Sequence, residues 1–141
     1  MSSDDPFNLQ RFLDAQAGVY GQVTGELRAG RKHSHWIWFI FPQITGLGHS
    51  AMAHKYAIGS LAEACAYVDH PVLGARLREC TALVLEVDGK TIAEILGHPD
   101  DLKFHSSMSL FARAASDNRL FLDALEKYFL GALDPQTVLR L

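Results

Sequence analysis

Residues 33–54 read HSHWIWFIFPQITGLGHSAMAH, and this stretch carries the strongest fold signal of the chain. An aromatic run ends at Pro42, and Gly46-x-Gly48-x-x-Ala51 follows, a pattern similar to a dinucleotide-binding fingerprint. In such a fingerprint a strand enters the first glycine directly, whereas here three further residues follow Pro42. Proline is also excluded from a central strand because it lacks the ladder donor. No further strand–helix units follow to build a parallel sheet.

We therefore interpret the aromatic run as a short helix from His35 to Phe41. Ser34 is its expected N-cap, because a serine oxygen accepts a backbone N–H of the first turn. Pro42 ends the helix. The two glycines become a turn into the next helix, which Ser50 is expected to cap.

Outside this stretch the apolar residues recur at helical spacing. The stripes are Val19, Val23 and Leu27; Leu73, Leu77, Cys80 and Val84; Phe104, Met108, Phe111 and Ala115; and Phe121, Leu125, Tyr128 and Phe129. Ser60, Thr91 and Asp117 are expected N-caps. Strand signals are weak, so the pattern predicts an all-α fold of seven or eight helices. The sequence also predicts that residues 1–141 form one compact domain, with residues 1–4 as a disordered tail.

The composition limits the class of protein. The 141 residues are 48% apolar and 21% charged, with a net charge of −3, and the pI is near 6.1. This balance argues against nucleic acid or an anionic membrane as a partner. The N-terminus shows no signal peptide, and the aromatic run is too short to cross a bilayer. Cys65 and Cys80 form no CxxC motif, so we expect reduced thiols and a cytoplasmic protein.

Basic residues directly before the aromatic helix suggest an anion site. Arg31 and Lys32 stand just ahead of Ser34, where positive charge opposes the helix dipole. Free N–H groups at a helix N-terminus bind anions well, so a bound anion would explain the pattern. A solvated loop is the alternative. Trp38 could stack on a flat ligand, and because Trp36 and Trp38 cannot share one helical face, one of them belongs to the core.

A second polar cluster lies at helical spacing near residue 100. Asp100, Lys103, Ser106 and Ser107 fall on one stripe, although small hydroxyls in a helix are also typical of close helix packing. Our first hypothesis is a site for a small phosphate- or carboxylate-bearing ligand. Lys32, Lys103 and the N–H groups after Ser34 would hold the anion. Gln43, Ser106 and Ser107 would orient the ligand.

His35 is the expected general acid or base if that site is catalytic, because an imidazole titrates near neutral pH. The histidines do not predict a metal site. His49 and His54, five residues apart, would diverge by about 140° on a helix. The sequence holds no HExxH motif and no cysteine-rich ligand set. We therefore expect no metal and no cofactor.

The second hypothesis is a protein-interaction or regulatory module. In it the aromatic patch of Trp36, Trp38 and Phe41 is partly exposed and contacts a partner. Full burial of all three rings would count against it. Stacking of single-stranded nucleic acid on the tryptophans is the weakest alternative, because the chain is acidic. Nothing in the sequence indicates an oligomeric state.

Five segments resemble one family in particular, and they extend from the aromatic stretch to the second polar cluster. They are KHSHWIWFIFPQ (32–43), GLGHS (46–50), YAI (56–58), HPVLGARL (70–77) and DDLKFHSSMSLF (100–111). The chain resembles the domain of unknown function eighteen-ten family from about Asp4 to the C-terminus. Its departures are Ile37 where methionine is usual, Ser109 where threonine is usual, and His33 where arginine or threonine is common.

The resemblance implies an all-α, single-domain bacterial protein related to a mycobacterial helical prototype. It implies no established activity. Members of the family often carry the automatic label "calpastatin", but the inhibitory segments of calpastatin are disordered and low in aromatics. This chain is compact and rich in aromatics, so we do not carry protease inhibition over.

Overall fold

The computed structural model describes residues 5–141, and this range holds ten α-helices and no β-strand. The helices are α1 (Gln10–Gln16), α2 (Tyr20–Arg28), α3 (Ile37–Ile40), α4 (Ala51–Lys55), α5 (Leu61–Asp69), α6 (Leu73–Leu85), α7 (Ile92–Leu96), α8 (Asp100–Ala114), α9 (Arg119–Phe129) and α10 (Pro135–Val138). The all-α prediction is confirmed. The expected number of seven or eight helices was too low. The predicted tail, residues 1–4, lies outside the described residues.

Side-chain caps fix the starts of several helices as the sequence predicts. The side chains of Ser50 and Ser60 accept the backbone N–H three residues on. Thr91 does the same and forms a capping box with Glu94. Asp117 was the wrong cap for α9. Asn118 holds that position, and its side-chain amide donates to the carbonyl of Ala112 at the end of α8 instead.

Helix α8 lies at the centre of the molecule and packs against α3, α5, α7, α9 and α10. Its predicted stripe from Phe104 to Ala115 is buried. The rings of Phe41 and Phe104 meet edge to face, with centroids 4.9 Å apart. This contact fixes the aromatic segment against α8, and so brings the two sequence clusters near residues 32–43 and 100–107 into the same part of the fold.

The aromatic helix is shorter than expected. It spans only Ile37–Ile40, and Trp36 takes the N-cap position without a side-chain cap. The prediction that Ser34 caps a helix beginning at His35 is therefore wrong. Trp36 and Phe41 are core residues, whereas Trp38 is only partly buried. The sequence argument that one tryptophan belongs to the core is confirmed.

The glycines form a turn in a closed loop and no phosphate cradle. An isolated parallel bridge joins Ile44 to Ile58, so the two ends of the segment 43–58 lie side by side. Gly46 has φ +94°, a conformation that favours glycine. A Cβ on Gly48 would lie 2.5 Å from the Cβ of Ala53, so this glycine allows α4 to fold back on the turn. No helix within residues 5–141 is long and apolar enough to cross a membrane.

Candidate functional site

The segment predicted to bind an anion is wrapped around a carboxylate of the protein itself. Glu26 of α2 is 8% exposed. Its Oε1 accepts the backbone N–H groups of His33 (2.8 Å) and Ser34 (3.0 Å) and the indole N–H of Trp36 (3.0 Å). Its Oε2 accepts the hydroxyl of Ser34 (2.6 Å) and the amide of Gln22 (3.1 Å). We call these residues the Glu26 cluster.

The Glu26 carboxylate stays ionised although it is buried. Burial acts to raise its pKa, but the donors from Ser34, His33 and Trp36 outweigh this effect and lower the pKa to about 2. The anion that the sequence predicts beside Ser34 is therefore present in the fold. It comes from α2, which also explains why the Ser34 hydroxyl is not available to cap α3.

The signal for this arrangement lies in the stripe of α2. Glu26 directly precedes Leu27 and follows Val23 by three residues, so it lies on the apolar face of the helix. An acid on an apolar face requires buried donors, since an unsatisfied buried carboxylate is costly. Sequence reasoning missed this residue.

Lys32 and Lys103 meet at one carboxylate, that of Asp100. The Lys32 ammonium lies 2.8 Å from Asp100 Oδ2, and its side chain is 6% exposed. It also lies over the ring of Trp36, 5.0 Å from the ring centroid. The Lys103 ammonium is 3.6 Å from Asp100 Oδ1, longer than a hydrogen bond. The two lysines do come together as the ligand hypothesis required, but an internal carboxylate lies between them.

Lys103 also lines a surface cleft of about 290 Å³, which we call the lysine cleft. Its polar walls are formed by residues of the 43–58 loop, α8 and the C-terminal segment. They include Gln43, Gly48, Lys103, Ser106, Asp134 and Gln136. Gln43, Lys103 and Ser106, three predicted ligand-binding residues, are therefore neighbours.

A larger cleft of about 370 Å³ adjoins it, and we call it the tryptophan cleft. Its walls include Trp38, Gln43, Gly48, His49, His54 and Tyr56. Gln43 and Gly48 line both clefts. The indole Nε1 of Trp38 is buried and has no hydrogen-bond partner within residues 5–141.

Both histidines of the pair at 49 and 54 line the tryptophan cleft, so the prediction that they diverge is wrong. His49 precedes the N-cap Ser50 and lies outside α4, so the helical angle does not apply to it. Within residues 5–141 no three His, Cys, Asp or Glu side chains gather as metal ligands.

Four predicted site residues do not line either cleft, and one of them, Lys32, is paired with Asp100. His35 is exposed at the surface, and Ser34 belongs to the Glu26 cluster. Ser107 is fully buried in α8, and its hydroxyl has no partner within the described residues.

Asp134 is a cleft residue that the sequence did not identify as part of the site. It N-caps α10 through Oδ2, which accepts the hydroxyl groups of Thr137 (2.6 Å) and Ser106 (3.0 Å). Burial acts to raise its pKa, but these hydrogen bonds keep the pKa below its usual value. The cleft thus contains an ionised carboxylate as well as an ammonium group.

The fold and the clefts define a small all-helical domain with two adjoining surface clefts, one lined by Lys103 and the other by Trp38. The chain belongs to the family described as "Protein of unknown function (DUF1810)", whose model matches residues 6–141. Its structure is similar to the crystal structure of the conserved hypothetical protein Rv1873 from Mycobacterium tuberculosis. The two chains are 57% identical, with a TM-score of 0.94 over 96% of each chain. A comparison with curated proteins gives no match.

Proposed function

We propose that the protein binds a small ligand with a carboxylate or phosphate group in the lysine cleft. The observation that carries this proposal is the position of Lys103. Lys103 lines the cleft, and its ammonium group competes with Lys32 for the single negative charge of Asp100. Since Lys32 holds the shorter contact, Lys103 carries positive charge that its partner only partly neutralises.

Gln43 supports the proposal from a second segment that lines the cleft. No side-chain hydrogen bond engages its amide within residues 5–141, so it is available both to donate and to accept. Ser106 already donates towards Leu102 or Asp134, and its hydroxyl therefore offers a ligand only acceptor capacity. Lys103 and Gln43 are the anion donors in this proposal. Neither Ser107 nor His35 takes part.

The alternative interaction module keeps only one of its three rings at the surface. Trp36 is 2% exposed and Phe41 is fully buried. Only Trp38 retains exposed area, and it lines a concave cleft, the shape typical of small-molecule sites.

For the compartment, the free thiols of Cys65 and Cys80 support our proposal of the cytoplasm.

Thermal unfolding with added compounds tests the proposed site. The compounds are orthophosphate, sugar phosphates, nucleotides and short carboxylates. A compound that binds only the folded protein raises the melting temperature, because it stabilises the fold by about 2.7 kcal/mol at a free concentration a hundredfold above Kd. We expect at least one compound to do so, and the effect to be lost in Lys103→Met.

Lys90→Met is the matched control, because it removes the same charge from a depression that shares no residue with the lysine cleft. It should keep the ligand response. A panel without any rise, or a rise that Lys103→Met leaves intact, would overturn the proposal.

A further inference from the structure

The lysine cleft holds two opposite charges that do not neutralise each other. Within residues 5–141 the ion-pair partner of Lys103 is Asp100, and Asp134 has no ion-pair partner. All hydrogen bonds to the Asp134 carboxylate there reach Oδ2, and Oδ1 accepts none. The carboxylate is therefore held through Oδ2 by Ser106 and Thr137, and Oδ1 accepts no hydrogen bond from the described residues.

A simple anion fits such a cleft poorly. Its attraction to Lys103 would be offset by repulsion from Asp134. The neighbouring cation Arg140 does not neutralise Asp134, since its guanidinium bonds Gln136 and approaches the carbonyl of Gly46. A ligand that carries both an anionic and a cationic group satisfies both charges at once. A ligand with only one of these groups leaves the other protein charge unpaired, so the cleft discriminates against it.

The adjoining tryptophan cleft provides room for the rest of such a ligand. It shares Gln43 and Gly48 with the lysine cleft. The residues that line it include Trp38, Tyr56, His49 and His54. Aromatic walls of this kind favour a flat ring, because stacked and edge-to-face contacts add to the apolar burial.

From this geometry we propose that the ligand is a zwitterionic aromatic amino acid. Its carboxylate binds Lys103, its ammonium group binds Oδ1 of Asp134, and its ring enters the tryptophan cleft. This inference rests on the proposed function, to which it adds the cationic group and the ring.

The test uses calorimetric titration of the whole protein with L-tryptophan, L-tyrosine, L-phenylalanine and L-histidine. For tryptophan the matched analogues are indole-3-propionate, which lacks the ammonium group, and tryptamine, which lacks the carboxylate. We expect at least one amino acid to bind, and to bind about tenfold or more tightly than either of its analogues, the range for a hydrogen bond to a charged group.

Asp134→Asn should reduce amino-acid binding to the level of the analogue without the ammonium group. Asparagine is also a good N-cap, so α10 keeps its start, and circular dichroism checks the fold. Asp123→Asn on the exposed face of α9 is the matched control and should leave binding unchanged. The comparison of analogues on the unmodified protein holds even if the Asp134 variant does not fold.

The outcomes separate the inference from the proposed function. If the analogue without the ammonium group binds as tightly as the amino acid, the inference is wrong and the anion site stands. The same holds if no aromatic amino acid binds while a phosphate or carboxylate does so through Lys103. If nothing in either panel binds, both proposals fail.

Discussion

The Glu26 cluster and the lysine cleft both bring donors to a negative charge, and they differ in how completely the charge is satisfied. In the Glu26 cluster one buried carboxylate accepts five hydrogen bonds, three on Oε1 and two on Oε2, within a single helix–loop unit. Beside the lysine cleft, the Asp100 carboxylate serves the ammonium groups of Lys32 and Lys103 at unequal distances. The first region is closed and structural. The second retains charge at the surface, so a ligand is expected only there.

The largest expected effect comes from removing the Glu26 carboxylate, the charge on which the Glu26 cluster depends. Glu26→Ala leaves the buried donors of Ser34 and Trp36 without an acceptor. We expect the free energy of unfolding to fall by more than about 3 kcal/mol, measured by urea denaturation. Glu126→Ala on the exposed face of α9 is the control and should change stability by less than about 0.5 kcal/mol. If both variants lose the same free energy of unfolding, the Glu26 cluster is not the structural region that its hydrogen bonds indicate.

Low pH should lower the free energy of unfolding through the Glu26 cluster by an amount comparable to that of Glu26→Ala. The folded-state pKa of Glu26, about 2, lies below its ordinary value of 4.5. Its contribution is therefore complete above about pH 4.5 and is lost as the pH falls through about 2, a total of about 3 kcal/mol. Urea denaturation at pH 7, 5 and 3 should show a smaller decline for Glu26→Gln than for the unmodified protein. If the free energy of unfolding falls equally with pH in both proteins, Glu26 is not the source of the pH dependence.

The two tryptophans allow a direct comparison of the regions. The Trp36 indole donates to Glu26, whereas the Trp38 indole has no partner within residues 5–141. Trp36→Phe removes a hydrogen bond to a charged group, so it should cost about 1.5–3 kcal/mol more than Trp38→Phe. Chemical denaturation of both variants measures the difference. If Trp38→Phe proves the more destabilising, Trp38 has a structural role that its contacts do not show.

The two lysines give the smallest expected effect. Lys32→Met removes the buried partner of Asp100 and should lower stability by about 1–2 kcal/mol. Lys103→Met removes a longer and more exposed contact, and should change stability by less than about 0.5 kcal/mol. Thermal unfolding at low and moderate salt measures both. A larger loss in Lys103→Met would mean that Lys103 is structural, and it would weaken the case for a ligand beside it.

Local features of the fold could be predicted from the sequence because they depend on residues a few positions apart. Ser50, Ser60 and Thr91 cap their helices through the N–H three residues on, an interaction that neighbouring residues alone determine. The turn at Gly46 follows from Pro42 and from the backbone freedom of glycine in the same way.

The candidate site could be predicted only in part. The residue types were informative, since Gln43, Lys103 and Ser106 do line one cleft. Their partners were not predictable, because Glu26 approaches Ser34 from α2 and Asp134 approaches Ser106 from the C-terminal segment. Such contacts depend on how the helices pack, and no spacing in the sequence encodes them.

The sequence by itself determined an all-α domain, its family, the starts of α4, α5 and α7 and the core stripes, because periodicity and capping act over one or two turns. The tertiary structure decided which charges are satisfied. It placed a carboxylate of α2 where an anion was expected and directed Lys32 to Asp100. It left Lys103 and Asp134 facing one cleft, since only the packing around α8 sets the distances between groups far apart in the chain.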